Sequence, residues 1–586
     1  MAGSGGLCIV DGLPKAAPLG ARLDFYPPGT AVEDAAIRPT ARGGIILRRD
    51  DDAAVCLVVE GTVSEGDAAG LERRNHADVD APFGLLCVRA PRGRAAGGRE
   101  LRPWRGPVDW RGRRVGSDGV PMPADASSSE PDPAEADLVD APLFPEHPPM
   151  SARQSIDSGL TTGVRGIDVL SPLGRGQSLV LAGPDGVGKT TLALDALAGS
   201  SDDLHLVYCS VGQPPQAVDA AVARLSSVLP RLDLVAAGPE AGPADRYATL
   251  CAALATAEQT RDAGGQALVV LDDAGAATDL WVAAQAAAEG RDRALYLADG
   301  VEGDALVDYE GTLVSAASAQ RRRLLSSLLQ RSARLLDASG GGTLTLLAVL
   351  PGEPATGRPR GSAARARVLS LAGVTEDQRA RMLAALDKQE AAAGGMPTTL
   401  ERARSEVLEE FMSICDGQAV LRRADGPAGL VQVDPRKSLS RIGVRAYWAQ
   451  GLAERAPALR FQLAQAEDEA EWAGARDGSA VAMAAFRAAS AAAAPGMAAC
   501  RALLLHAPGQ SSTAGEEICL LACAREGLLG APASTDEVSA CRDAWAAAWQ
   551  DAKRALPEDV ALLEDTGVEG ADEVIEWLRG RLSSAA

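Results

Sequence analysis

Short apolar runs separated by turn residues dominate the first hundred positions of the chain. The runs lie at 7–10, 44–47, 54–59 and 84–88, and Asp-Gly, Pro-Pro-Gly and Glu-Gly-Asp turn signals lie between them. Runs of this length and spacing are typical of the strands of small all-β domains. We therefore predict an N-terminal β-barrel domain over residues 1–116.

Residues 151–455 have a different pattern, in which strand-like and helix-like apolar segments alternate. The segments Leu206–Cys209, Ala267–Leu271 and Thr343–Leu350 are almost continuously apolar, as strands buried on both faces are. The stretch 319–336 instead has the spacing of a helix. This alternation predicts an α/β domain with a parallel sheet.

Three further segments complete the predicted organisation. Residues 117–150 contain eight prolines together with acidic and serine-rich stretches, which predicts a flexible linker. Residues 352–407 are charged and Ala-rich, and we expect them to form an insertion in the α/β domain. Residues 456–586 are rich in Ala, Leu and Glu and poor in strand formers, so they predict a C-terminal α-helical domain.

The most specific motif is the sequence Gly-Pro-Asp-Gly-Val-Gly-Lys-Thr at 183–190, which fits the phosphate-binding pattern G-x-x-x-x-G-K-[ST]. The apolar segment Ser178–Ala182 precedes it as a predicted strand, and Thr191–Leu197 follows it as a predicted helix. In this arrangement the loop N–H groups and the helix N-terminus converge on phosphate oxygens. A glycine-rich turn without a ligand is the alternative, and the two correct flanks oppose it.

The motif predicts a site for ATP or ADP with Mg²⁺. Its nucleotide contacts would come from the loop and the first helical turn: Gly183, Asp185, Gly186, Val187, Gly188, Lys189, Thr190 and Thr191. Thr190 would ligate the metal, and Asp272, which follows the strand Ala267–Leu271, would stand on the metal side. The alternative for Asp272 is a structural cap at a helix N-terminus.

Charge and composition exclude several other classes of protein. The net charge is −21, whereas nucleic-acid binding needs clustered Lys and Arg. No apolar run reaches the roughly 18–20 residues of a membrane span. The first residues show no evident targeting peptide. Ten scattered cysteines and four histidines form no metal-binding motif, so we expect reduced, buried thiols.

Several blocks together resemble one family, the alpha subunit of the rotary, proton-translocating F-type ATP synthase, within the ATPase alpha/beta family. The blocks are Leu160–Asp168, Pro172–Gln177, Asp416–Gln418, Ser440–Gly443, Leu459–Gln465 and Glu516–Glu517. The resemblance spans nearly the whole chain in order, and its central blocks are the most specific. It implies a β-barrel, a central RecA-like P-loop domain and a helical domain.

The resemblance also assigns roles to two residues outside the loop. Catalytic subunits carry a Glu that orients the attacking water, whereas alpha-type subunits carry Gln there, and this chain has Gln213. A strand-end polar residue without a ligand is the alternative. In alpha subunits the arginine of the Ser-Arg-apolar-Gly block reaches the catalytic site of a neighbouring subunit, a role that falls here to Arg441. A structural ion pair is the alternative for Arg441.

The chain departs from the family pattern mainly where the base of the nucleotide would bind. Gly186-Val187 stands where the family usually has Gln-Thr, and Gly429–Val431 replaces an Arg-Pro pair that walls the adenine pocket. Ala507–Gly509 replaces glutamines near the adenine, although Gln510 is adjacent. These changes predict intact phosphate binding with altered base recognition.

The resemblance implies a non-catalytic, nucleotide-binding subunit. We expect it to alternate with a catalytic beta-type partner in a hetero-hexameric ring around a central stalk. It would bind no nucleic acid, and it would meet the membrane only through the rest of the complex. We expect a peripheral location at an energy-transducing membrane, the mitochondrial inner membrane or the plastid thylakoid. Two alternatives stay open: a catalytically silent paralogue in assembly or regulation, and a self-sufficient hexameric ATPase.

Overall fold

The structure is a computed structural model, and it describes fifteen stretches of the chain. These are residues 7–11, 22–24, 42–49, 53–60, 87–91, 106–109, 113–118, 138–142, 147–281, 306–309, 312–352, 408–424, 429–443, 447–477 and 495–583. The insertion predicted at 352–407 lies outside the described residues except for Gly352.

The N-terminal region contains six strands in two antiparallel sheets. They are β1 (Leu7–Asp11), β2 (Arg22–Asp24), β3 (Arg42–Arg49), β4 (Ala53–Glu60), β5 (Cys87–Pro91) and β6 (Leu138–Pro142). The first four form one sheet in the order β1-β4-β3-β2, and β5 pairs with β6. Strands cover the described parts of the predicted apolar runs, while closure into a barrel stays a prediction because most of 1–116 lies outside the described residues.

Strand β6 corrects one expectation. It lies within 117–150, which the sequence predicts to be a flexible linker, and it pairs with β5 over five residue pairs. Ala141 of this strand packs against the apolar core of the central domain. A strand forms here despite the nearby prolines, because pairing with β5 satisfies the backbone N–H and C=O groups around Leu138 and Val139. Part of the predicted linker is therefore ordered.

A mixed sheet of nine strands forms the centre of the molecule. Its long strands are β9 (Ser178–Ala182), β10 (Leu204–Val211), β11 (Leu232–Ala237), β12 (Gln266–Asp272), β16 (Thr343–Val349) and β17 (Gly417–Arg423). These six are parallel, in the order β11-β10-β12-β16-β9-β17. This confirms the predicted α/β domain with a parallel sheet, because three of the strands match the apolar runs named above.

The shorter strands lie at the margins of this sheet or outside it. They are β7 (Gly159–Leu160), β8 (Leu173–Gly174), β13 (Leu306–Tyr309), β14 (Thr312–Ser315), β15 (Ala333–Arg334), β18 (Val431–Val433) and β19 (Leu439–Ser440). β18 and β19 both run antiparallel to β17, and β15 runs antiparallel to β16.

Helices cover both faces of the sheet. They are α1 (Arg165–Leu170), α2 (Lys189–Ala198), α3 (Pro215–Arg224), α4 (Pro243–Asp262) and α5 (Ala316–Leu329). Two separate apolar cores result, one on each face. Residues alternate between the faces along each strand, so Leu268 and Val270 lie in the first core and Val269 and Leu271 in the second.

The C-terminal part is helical, as predicted. It contains α6 (Gln450–Asp477), α7 (Pro495–Leu503), α8 (Ala514–Arg525), α9 (Thr535–Ala555), α10 (Pro557–Thr566) and α11 (Ala571–Ser583). Their apolar faces join the core that also contains the phosphate-loop helix α2. Among the described residues, no helix is both long and apolar enough to cross a membrane.

Candidate functional site

The glycine-rich loop connects the end of β9 to the start of α2, as the motif predicts. Its backbone depends on glycine at two points. Gly183 has φ +143°, and a Cβ there would lie 2.4 Å from the carbonyl oxygen of Leu421. Gly188 has φ +101° and caps the helix in the left-handed conformation, which β-carbon-bearing residues seldom adopt. The loop is therefore fixed by its glycines and by the neighbouring strand β17.

The predicted loop residues differ in their exposure to solvent. Pro184, Asp185 and Gly186 are exposed, whereas Val187 is buried beneath the loop. Helix α2 begins at Lys189, so the N–H groups of Lys189, Thr190 and Thr191 have no carbonyl of a preceding helical turn to bond. Such N–H groups, together with the helix dipole, make an anion-binding end.

The Lys189 ammonium lies inside the loop. Its Nζ donates to the carbonyl oxygens of Gly183 at 2.7 Å and Pro184 at 3.0 Å, and it lies 3.7 Å from Asp185 Oδ1. Burial lowers the pKa of Lys189, and the Asp185 carboxylate opposes that shift. The result is a desolvated cation at the place where the motif predicts phosphate oxygens.

Asp185 also ties the loop to the next strand. Its Oδ1 accepts a hydrogen bond of 2.8 Å from the N–H of Gly352, just beyond β16. A Cβ at Gly352 would lie 2.3 Å from the Asp185 nitrogen, so the two backbones are in close contact. The insertion predicted at 352–407 thus starts directly beside the loop.

Thr190 and Asp272 meet as the sequence predicts for a metal site. The Thr190 hydroxyl donates to Asp272 Oδ1 at 2.9 Å, and Asp272 is only 1% exposed. Burial raises the pKa of Asp272, although hydrogen bonds from Tyr208 and Thr190 and the charge of Lys189 oppose that shift. Carboxylate and hydroxyl oxygens are ligands that Mg²⁺ accepts, so the donor set fits this ion.

Tyr208 belongs to this cluster and was not predicted from the sequence. Its hydroxyl donates to Asp272 Oδ2 at 2.8 Å. Burial raises the pKa of Tyr208 well above its usual range, and the nearby Asp272 charge adds to this. The available signal was a tyrosine in a buried strand, but that signal does not show which strand lies next to it.

Gln213 lies at the same edge of the sheet as the loop. Strand β10 is parallel to β12, with Ser210 opposite Asp272, so Gln213 follows three residues beyond that pair. It is half-buried and comes directly after Gly212, whose φ is +68°. Asp219, an acid that follows Gln213 in the chain, is exposed on α3. The residue Asp273 follows Asp272 with a left-handed φ of +74°.

Arg441 lies at the opposite edge of the sheet. Its N–H donates to the carbonyl oxygen of Asp416, whose carboxylate in turn accepts from Ser178, the first residue of β9. The loop begins after Ala182, which is about 13 Å further along the strand at ~3.3 Å per residue. The Arg441 guanidinium donates to the Cys415 carbonyl at 3.0 Å and to Gln418 Oε1 at 3.3 Å. The structure thus separates Arg441 from the chain's own loop.

A second buried acid, Asp195, connects the loop helix α2 to the helical region. Arg224 donates to its two oxygens at 2.5 and 2.7 Å, His506 contacts it through Nε2 at 2.8 Å, and the Gly509 N–H donates at 3.0 Å. These hydrogen bonds outweigh burial, which acts in the opposite direction, and hold the pKa of Asp195 below its usual range. Sequence reasoning missed this cluster because its members are up to 314 residues apart.

The replaced base-contact segments meet at this cluster. Val431 and His506 exchange backbone hydrogen bonds of 2.9 and 2.8 Å, and the Val431 side chain lies against Gly188 of the loop. Gln510 does not point to an open site, since its Oε1 accepts from Arg542 at 2.5 Å. The segments in which the sequence departs from the family pattern are therefore packed onto α2 and the loop.

The junction with the helical region contains a further group of buried acids. Glu516 of α8 pairs with Arg165 of α1. The fully buried Glu517 accepts from Ser512 at 2.7 Å through Oε1, while Oε2 has no hydrogen-bond partner among the described residues. Burial raises the pKa of Glu517 well above its usual range, and the charge of Asp168 adds to this.

Comparisons with known proteins agree with this geometry. The family model described as "ATP synthase alpha/beta family, nucleotide-binding domain" matches residues 163–286, which include the loop, Gln213 and Asp272. Over these residues the chain is similar to the nucleotide-binding domain of this family. The match lies in the central domain, so the similarity concerns the α/β sheet and its loop.

Individual relatives carry the name of the alpha subunit. The chain is 29% identical to "ATP synthase subunit alpha 2" of Gluconobacter oxydans (strain 621H) over 356 residues, 59% of this chain and 56% of the relative. It is 28% identical to the subunit alpha of Ehrlichia chaffeensis over 320 residues, 52% of each chain. A Lactobacillus delbrueckii subunit alpha is 34% identical over 216 residues, 36% of this chain and 39% of the relative. The chain thus spans about half the length of the first of these relatives.

Proposed function

We propose that this protein is a non-catalytic, nucleotide-binding alpha-like subunit of a proton-translocating ATP synthase. The observation that carries the proposal is the convergence of Lys189, Thr190 and Asp272 at a glycine-rich loop of the alpha/beta family. The ligand would be ATP or ADP with Mg²⁺.

Each group has a distinct task in holding the nucleotide. The free N–H groups at the start of α2 would bind phosphate oxygens, and Lys189 would exchange its loop carbonyls for the β- and γ-phosphates. Thr190 and Asp272 would hold Mg²⁺ on the side of β12. The ion would supply charge neutralisation between the phosphates.

A neutral side chain at the water-orienting position supports the non-catalytic role. Gln213 stands at the loop edge of the sheet, and its amide can orient a ligand but cannot take a proton from water. The described acid Asp219 is exposed on α3. Bound nucleotide would therefore remain unhydrolysed and stabilise the subunit by mass action.

The place of Arg441 supports a role in trans. An arginine about one strand length from its own phosphate loop cannot reach a γ-phosphate bound there, whereas its exposed position suits a neighbouring subunit. Arginines of this kind accelerate phosphoryl transfer by about 10³–10⁵-fold. We therefore infer a beta-type catalytic partner in a hetero-hexameric ring on a central stalk, peripheral to an energy-transducing membrane.

The altered base-contact segments favour one alternative, a catalytically silent alpha paralogue that acts in assembly or regulation. Val431 and the segment 506–510 already make contacts within the chain. An adenine pocket built from these residues would have to compete with those contacts. Such a paralogue would still use the phosphate loop but would not need a partner's catalytic site.

Reconstitution with a beta-type subunit tests the proposal. Arg441→Ala should lower the ATPase rate of the ring by at least about 10³-fold, since the lost charge acts on the partner's nucleotide. Arg436→Ala is the matched control, because that arginine lies close to Arg441 in the sequence but pairs with Asp468 within the chain. The isolated chain should release no phosphate. A mutant ring with wild-type turnover, or turnover by the isolated chain that Lys189→Ala abolishes, would contradict the proposal.

A further inference from the structure

The Asp272 carboxylate is held by two hydroxyl groups that come from different parts of the fold. Thr190 on the loop helix donates to Oδ1 at 2.9 Å, and Tyr208 on β10 donates to Oδ2 at 2.8 Å. Asp272 and Tyr208 are each only 1% exposed. Both oxygens of the carboxylate are therefore fixed from opposite sides in a region closed to bulk water.

The parallel register explains why Tyr208 reaches this carboxylate. Ser210 of β10 lies opposite Asp272 of β12, and Tyr208 precedes Ser210 by two residues. Residues two apart lie on the same face of a sheet. Tyr208 and Val270 are opposite each other and both belong to the apolar core on the loop side. The phenol ring thus lies in the core beneath the loop, and its hydroxyl extends to the end of the strand.

We propose that Tyr208 is a positioning residue for Mg²⁺, acting through Asp272. The proposal rests on the proposed nucleotide site. The hydrogen bonds from Tyr208 to Oδ2 and from Thr190 to Oδ1 together fix the orientation of the carboxylate beside the loop. Second-shell groups that orient a metal ligand in this way typically change metal affinity by about 10–100-fold.

A purely structural hydroxyl would behave differently. If Tyr208 only satisfied a buried acceptor, its loss would lower stability and leave the metal dependence of nucleotide binding unchanged. A positioning hydroxyl acts on the complex with the ion and has little effect on nucleotide alone. The ratio between the ATP dissociation constants in EDTA and in excess Mg²⁺ separates these two roles.

The experiment titrates the full chain with a fluorescent ATP analogue under both conditions. Tyr208→Phe removes one oxygen and keeps the ring, and we expect the ratio to fall about 10-fold while the affinity in EDTA stays within about twofold. Tyr247→Phe is the matched control, since Tyr247 is another buried tyrosine, 1% exposed, in the core on the other face of the sheet. Asp272→Asn should abolish the Mg²⁺ dependence, and Tyr208→Phe should add nothing in that background.

Each outcome decides. An equal ratio in the Tyr208→Phe and Tyr247→Phe proteins would overturn the inference and leave the nucleotide site intact. Failure of the wild-type chain to bind the analogue in either condition would overturn the proposed function itself. Wild-type binding without any Mg²⁺ dependence would overturn the role of Tyr208 and of Asp272 together.

A second measurement uses the wild-type chain and does not depend on the folding of a variant. The six tyrosines can be labelled as 3-fluorotyrosine and followed by fluorine resonance. Adding Mg²⁺ to the ATP-bound chain should shift one buried resonance, because the carboxylate that accepts from Tyr208 then shares its charge with the ion. If no tyrosine resonance responds to Mg²⁺, the inference is wrong.

Discussion

Two buried aspartates are found at opposite ends of the loop helix α2: Asp272 accepts from Thr190 near its start, and Asp195 belongs to the helix near its end. They have opposite electrostatic surroundings. Asp272 at the phosphate end is 1% exposed, and Asp195 at the junction with the helical region is 3% exposed. Burial raises the pKa of Asp272, whereas hydrogen bonds from His506 and Arg224 hold that of Asp195 below its usual range despite burial.

The difference lies in the donors. Asp272 accepts from two neutral hydroxyl groups, so its negative charge is only partly compensated. An added cation would compensate the rest of this charge. Asp195 accepts from a bidentate guanidinium, an imidazole and a backbone N–H, which complete its coordination within the protein. Asp272, with hydroxyl partners, is therefore suited to an added cation, whereas Asp195, with an arginine partner, makes a structural contact between α2 and the helical region.

The largest expected effect is on the structural contact around Asp195. Asp195→Ala should lower the free energy of unfolding by about 3–5 kcal/mol, because the buried His506 and the partly buried Arg224 lose their common acceptor. Asp203→Ala is the matched control: Asp203 also pairs with an arginine, Arg175, but its side chain is half exposed, so its loss should cost at most about 1 kcal/mol. Urea unfolding of the three proteins measures both values.

Equal losses of stability in the Asp195→Ala and Asp203→Ala proteins would contradict the distinction between a buried structural contact and a surface ion pair. The same result would also weaken the contrast with Asp272, because it would mean that the number of hydrogen-bond donors around Asp195 does not determine how much this residue contributes to stability.

The second prediction concerns ligand selectivity. Sites that hydrogen-bond a substrate group reject analogues without it by about 10⁴–10⁵-fold. Here Gly509 and Gln510 make contacts within the chain instead. We expect ATP and GTP to bind within about tenfold of each other and tripolyphosphate to compete with both. Displacement of a fluorescent ATP analogue by each competitor measures this, and a preference for ATP above about 10³-fold would show a working base pocket.

The smallest expected effect is a pH dependence at the junction. Because the pKa of Glu517 is raised in the folded protein, the native state binds its proton more tightly than the unfolded chain, and stability falls as the pH rises above about 4.3. Glu517→Gln mimics the protonated acid and should flatten this fall between about pH 5 and 8, with melting temperature as the measurement.

Glu537→Gln is the control for that prediction. Glu537 accepts backbone hydrogen bonds at the start of α9, and they lower its pKa. The contribution of Glu537 to stability is present above about pH 4.3 and is lost only as the pH falls below that value. The control should therefore leave the slope of melting temperature against pH unchanged between about pH 5 and 8. A slope at Glu517→Gln equal to that of wild type would refute the assignment of a raised pKa.

Sequence reasoning succeeded where a local pattern dictates the backbone. The Gly-rich motif predicted strand, loop and helix, and the apolar runs predicted the strands β10, β12 and β16. It failed where distant segments meet: Tyr208 and Asp195 act through partners on other strands and helices, and a single sequence contains no signal for that pairing. It also missed β6, because the composition of 117–150 favours a linker while the strand depends on its partner β5.

The most direct test of the central claim is the stoichiometry and affinity of nucleotide at the loop. Isothermal titration of the full chain with ATP and Mg²⁺ should give one nucleotide per chain, and Lys189→Ala should weaken binding by about 10–100-fold through loss of the charged partner of the phosphates. Lys437→Ala, which removes an exposed lysine between β18 and β19, should bind as the wild type does. Equal affinity in the Lys189→Ala and wild-type proteins, or no binding to the wild type, would contradict the account.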